Sequence, residues 1–200
     1  MSGTPDLLLA ALHWLEYLGL LGVIGSVVVW RLGRLTPSIE WARPPFWIAV
    51  GAALAGVAGL LLVEPSSVIS RPDLAAAAHV LSAGMWAGGI LALAALRPPD
   101  GWKSAEARDL VERFGRVALI AFAITALTGV LRATDRLHDV SDLWTSAYGI
   151  VLLIKCAGVV AMLVLSVAWR RGSPLAQADA GLTVAVVGAS ALLAAFPMQA

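Results

Sequence analysis

Charge is scarce in this chain of 200 residues: 14% are Asp, Glu, Lys or Arg, where a soluble domain carries about 25%. The 14 basic and 13 acidic side chains nearly cancel. No basic surface of the kind nucleic-acid binding needs can be assembled, and that class of partner is excluded. Cysteine is nearly absent. The single Cys156 excludes an internal disulfide and a thiolate metal cluster. The alternating apolar–polar strands of a membrane barrel are missing as well. No Lys or Arg precedes the first apolar run. That run is also longer than the apolar core of a secretory signal, so it is expected to be a retained span.

What the chain does have is apolar surface: 60% of its residues are hydrophobic and 19 are glycine. A bilayer core takes about 20 apolar residues in helical form, and helices dominated by Ala, Leu, Val and Gly are the spanning structure that fits. Six stretches qualify: Leu7–Trp30, Pro45–Val63, Leu74–Leu96, Phe114–Leu131, Trp144–Trp169 and Leu182–Met198. The connections are short and collect most of the Pro, Arg and Asp, as in Arg97-Pro98-Pro99-Asp100-Gly101. None is long enough to separate domains. The expected fold is an all-α integral membrane protein, a polytopic bundle of about six transmembrane helices forming one membrane domain over residues 1–200.

The basic residues orient it. Arg31, Arg34, Arg43, Arg97, Lys103, Arg108, Arg113, Arg116, Arg170 and Arg171 fall on one side of the bilayer, and Arg71, Arg132 and Arg136 on the other. By the positive-inside rule both termini face outward, an N-out/C-out arrangement in a bacterial inner membrane. Trp30, Trp47, Trp102, Trp144 and Trp169 sit near span ends, where indole rings anchor at the headgroups. Trp86 lies inside the third span. Gly19, Gly22 and Gly25 in the first span, Gly56 and Gly59 in the second, and Gly84 and Gly88 in the third have the small-residue spacing that lets helix backbones approach closely.

Four ionisable residues remain within spans: His13, Glu16, His79 and Lys155. Such residues are costly in a bilayer and each is a functional candidate whose partner should be named. At 1.5 Å per residue the two histidines lie at matched depth, about 10 Å below the outer boundary. Glu16 and Lys155 lie slightly deeper. His13, Glu16 and Tyr17 share one helix face, as do His79, Ser82 and Trp86, whereas Met85 points elsewhere on ideal geometry. His138 in an outer connection and Met198 at the outer end of the last span could close the site from the rim. A shallow imidazole pair with a thioether suits copper, two axial histidines suit haem iron, and interhelical hydrogen bonding alone is the third reading. Glu16 with Lys155 reads as a polar pair, either locking two helices or assisting ion or proton movement.

The segment His79-Val-Leu-Ser-Ala-Gly-Met-Trp86-Ala-Gly88-Gly89 resembles the H-x6-W-x-G-G signature of the copper resistance protein D (CopD/PcoD) domain family. Arg113-Phe-Gly-Arg116-Val-Ala-Leu119 with Leu127-Thr-Gly-Val-Leu131 is similar to its second motif. Thr145-Ser-Ala-Tyr148-Gly149 through Leu152-Leu-Ile-Lys155 is similar to its third. The three keep their order and cover roughly residues 74–171. The resemblance implies a non-catalytic inner-membrane protein that imports copper ion or delivers it at the periplasmic face, with Trp86, Gly88, Gly89, Arg116, Tyr148 and Lys155 among the motif positions beside His79. It also implies a periplasmic copper-binding partner. The third span is distantly similar to that of HemJ-type protoporphyrinogen oxidases. That likeness implies the alternative of a subunit binding haem b, an oxidoreductase component. An accessory subunit of a larger membrane complex is the remaining expectation.

Overall fold

The computed structural model describes residues 5–66, 74–134, 139, 141–170 and 176–196. Among them the long regular elements are all helices: α1 (Leu7–Gly33), α2 (Phe46–Val63), α3 (Leu74–Ala94), α4 (Ala105–Thr134), the single turn α5 (Asp142–Thr145), α6 (Ala147–Arg170) and α7 (Ala176–Ala194). Six of them, all but α5, are long and apolar enough to cross a membrane. The chain is a multi-pass membrane protein. Leu62, Leu74, Leu119, Ile120, Ile154 and Val164 turn outward, as side chains facing lipid would.

The central helix is α1, which packs along α2, α3 and α7. Asp6 caps its start, its carboxylate accepting from the amides of Leu8 and Leu9 at 2.8 and 3.1 Å. Close packing is set by glycine. A Cβ on Gly25 would fall 2.0 Å from the Gly88 carbonyl carbon, and one on Gly88 would fall 1.9 Å from the Leu21 carbonyl oxygen. Backbone therefore touches backbone where α1 crosses α3. On the opposite flank of α1, Gly19 meets the backbone of Ala53, and Gly56 of α2 meets that of Glu16.

Between Gly84 and Gly88, α3 widens into one π-helical turn. Trp86 sits in that turn, 5% exposed, with its ring edge-on to Phe122 at 4.9 Å. Around it Ile90, Leu93, Leu110, Phe114 and Met162 form the main core, and Met85 packs against this cluster.

Several boundaries move relative to the sequence. Helix α4 begins at Ala105 rather than Phe114, because Ala107 and Leu110 on its charged first turns are fully buried and hold those turns against the core. Helix α6 begins at Ala147, not at Trp144. Ser146 is extended there, and its hydroxyl accepts from the Gly149 amide at 2.9 Å, a side-chain cap that restarts the helix. Helix α7 begins at Ala176 and ends at Ala194, before Pro197.

At the end where α1 finishes, Arg113 does more than reach for the interface. Its guanidinium donates to the carbonyls of Leu32, Leu35 and Pro37, each at 3.0 Å, and pairs with Asp109. It thereby satisfies carbonyls that the end of α1 leaves open. Arg116 instead lies on the surface in a pair with Glu112.

Candidate functional site

At the end of the bundle where α1, α3 and α6 begin, a cavity of about 190 Å³ opens between five helices. Its polar wall consists of Tyr17 from α1, His79 from α3, Arg132 from α4, Tyr148 and Lys155 from α6, and Ser190 from α7. Leucines, valines and alanines make up most of the remainder.

His79 is held by a hydrogen-bond chain. Its Nδ1 lies 2.9 Å from Thr128 Oγ1. That hydroxyl lies 2.7 Å from the Ile124 carbonyl oxygen, to which it donates its one proton. Thr128 must then accept, so Nδ1 of His79 carries the hydrogen; the tautomer follows from this network. The lone pair is left on Nε2, the nitrogen free to bind a metal. A metal-binding imidazole is normally fixed this way, its other N–H donated to a neighbour. Gly129 keeps room beside the ring, since a Cβ there would stand 3.4 Å from His79 Cε1. One turn on, Ser82 donates to the His79 carbonyl at 3.1 Å, and Thr125 Oγ1 lies 2.8 Å from the Ser82 hydroxyl. Helices α3 and α4 are thus joined by a short polar ladder behind the imidazole.

His13 has other surroundings. Its Nδ1 donates to Glu16 at 3.2 Å, and its ring stacks on Tyr17 with centroids 5.5 Å apart. His13 is not among the cavity-lining residues, but Tyr17 is, so one phenol separates the first imidazole from the space that holds the second. Glu16 is engaged by His13 rather than by Lys155. Among the described residues the ion pairs are His13–Glu16, Asp109–Arg113 and Glu112–Arg116. Glu16 is thus paired with His13, and Lys155 stands on the cavity wall. Tyr148 is buried edge-on to Phe196 at 6.0 Å. His138 and Met198 lie outside the described residues. Among the described residues no three His, Cys, Asp or Glu side chains gather as a metal cluster.

The cavity does not suit haem b. About 190 Å³ is below the roughly 300–1,000 Å³ of pockets that enclose molecules of cofactor size, and His13 and His79 do not line one space.

Asp179 carries no signal in the sequence, where it reads as part of a connection. In the structure it is fully buried near the start of α7. Its Oδ2 accepts from Ser166 at 2.6 Å, while Oδ1 has no hydrogen-bond partner among the described residues. Only the earlier start of α7 would have revealed it.

The fold and cavity define a multi-pass membrane protein with one imidazole presented at one end of its bundle. The family model for CopD, copper resistance protein D, matches residues 108–196. That stretch supplies Thr128, Arg132, Tyr148, Lys155 and Ser190, and overlaps the motif region 74–171 over residues 108–171. The copper transport protein CutJ of Bacillus subtilis (strain 168) is 31% identical over 139 residues, which is 68% of this chain and 25% of the relative. Both matches support the copper resistance protein D family, and the chain spans about a quarter of the length of the curated relative it matches. No solved structure matches it.

Proposed function

We propose that this protein handles copper at the extracytoplasmic face of the inner membrane, importing the ion or delivering it there, without catalysing a reaction. The match to the copper resistance protein D family model supports the copper-related membrane role. The likeness to CutJ, a copper transport protein, favours transport over catalysis. The observation that carries the site is His79: its Nδ1 is committed to Thr128 while its ring lines a cavity. Neutral imidazole is the commonest transition-metal ligand. Copper stands high in affinity for nitrogen donors among first-row metals, whereas Mg and Ca require oxygen cages.

In this reading both termini face outward and the whole chain acts as one membrane unit. His13 with Glu16 lies nearer the end of the bundle and forms a first polar stop; Tyr17 separates it from His79. His138 and Met198 would serve as rim ligands, and a periplasmic copper-binding protein or a larger membrane complex would supply or take the ion.

Copper binding by the full chain in detergent, measured by competition with a chromogenic copper chelator, tests the assignment. His79→Ala is expected to lose most of the bound metal, while Cys156→Ser, a change at an exposed residue, retains it. Equal copper in wild type and His79→Ala would remove His79 as the ligand.

A further inference from the structure

The cavity around His79 has a charge pattern that a bare copper ion would not select. Lys155 and Arg132 bring an amine and a guanidinium to its wall, and Tyr17, Tyr148 and Ser190 bring hydroxyl groups. Among the described residues no Asp or Glu lines it. The carboxylate next to Tyr17 on α1, that of Glu16, is held by His13. A cation entering this space meets two basic side chains, the exposed Arg132 and the half-buried Lys155, and among the described residues no carboxylate. An anion meets the reverse: an ammonium, a guanidinium and hydroxyl donors that can form charge-assisted hydrogen bonds.

We propose that the cavity binds a small monovalent anion, a halide or a carboxylate no larger than acetate, between Lys155 and Arg132, and that copper is accepted at His79 together with that anion. The size agrees. A cavity of about 190 Å³ leaves room for an ion with one small companion. The charges agree as well. A cuprous ion, one monovalent anion and a neutral imidazole sum to zero, which removes most of the cost of placing the metal beside Lys155. The anion site stands on the cavity lining alone, whereas its coupling to copper rests on the proposed reading of His79.

The experiment uses the full chain in detergent and a halide-free buffer with gluconate as the bulky counter-ion. Chloride and acetate are titrated separately, with tyrosine and tryptophan fluorescence as the readout. Saturable binding of at least one is expected, and the stronger of the two identifies the source of the anion. Lys155→Met and Arg132→Gln should each weaken it tenfold or more, while Lys155→Arg and His79→Ala keep it. Cuprous-ion affinity, measured with and without the saturating anion, should rise at least tenfold with the anion in wild type and stay flat in Lys155→Met. Absence of anion binding in wild type, or binding unaffected by both charge-removing variants, would overturn the proposal. Anion binding without any copper binding would uphold the anion site and overturn the copper assignment. Copper affinity indifferent to the anion would overturn the coupling.

Discussion

The imidazole of His79 is useful because of what Thr128 does to it. The threonine hydroxyl is itself held by the Ile124 carbonyl, so it presents an acceptor to Nδ1 and fixes both the tautomer and the ring. Loss of such an outer partner commonly lowers metal affinity about 10–100-fold. Thr128→Val is expected to fall in that range by chelator competition, with Thr128→Ser close to wild type. Equal affinity in Thr128→Val would mean that ring orientation is set by packing alone. His79 stood out in the sequence because an ionisable residue in a span is rare. Thr128 appeared only inside the Leu127–Leu131 motif and without a role, because a helical threonine beside a carbonyl is unremarkable until the neighbouring helix is in place. Asp179 was hidden for a related reason: its burial depends on where α7 begins, and apolar counting placed that start at Leu182.

Helices were legible wherever apolar residues run for twenty or so positions, and all six long ones lie close to where the sequence put them. Their ends were less legible. The early start of α4 depends on burial of Ala107 and Leu110, and the restart of α6 depends on the Ser146 cap; both are tertiary or conformational facts. Glycine spacing was informative about approach but silent about which pairs meet. The structure ranks them. Gly25 faces backbone atoms of α3 at distances no Cβ can tolerate, while Gly51 has nothing within 4 Å of its Cβ position. Gly25→Ala is expected to abolish monodisperse folded protein on size exclusion in detergent. Gly51→Ala should leave the profile unchanged and raise thermal stability by up to about 1 kcal/mol, the helix-propensity difference between the two residues. A well-folded Gly25→Ala protein would show that α1 and α3 can separate at their crossing.

For the molecule as a whole, the distribution of Lys and Arg gives an orientation and the fold gives the cavity an address at one end of the bundle. The two are linked, since the cavity faces the periplasm only if both termini do. In a Cys156→Ser background, Ser66→Cys should react with an impermeant maleimide in intact spheroplasts. Ser38→Cys, in the connection between α1 and α2, should react only after permeabilisation. The reverse pattern would place the cavity on the cytoplasmic side. The architecture was readable from composition alone, because a bilayer leaves few alternatives for so apolar a chain. The cavity was not, since five helices contribute to it and no single stretch of sequence carries its shape.

The π-helical turn at Gly84–Gly88 works as a phase adjuster. Above it, α3 is timed to Thr128; below it, Gly89 seats against the Phe114 ring. Wound as a regular helix with the same residues, the turn would rotate one half against the other by roughly 100°. With the lower half still keyed to Phe114, the imidazole would swing off its threonine, so the one residue that the wide turn absorbs decides whether the upper chamber has a ligand at all.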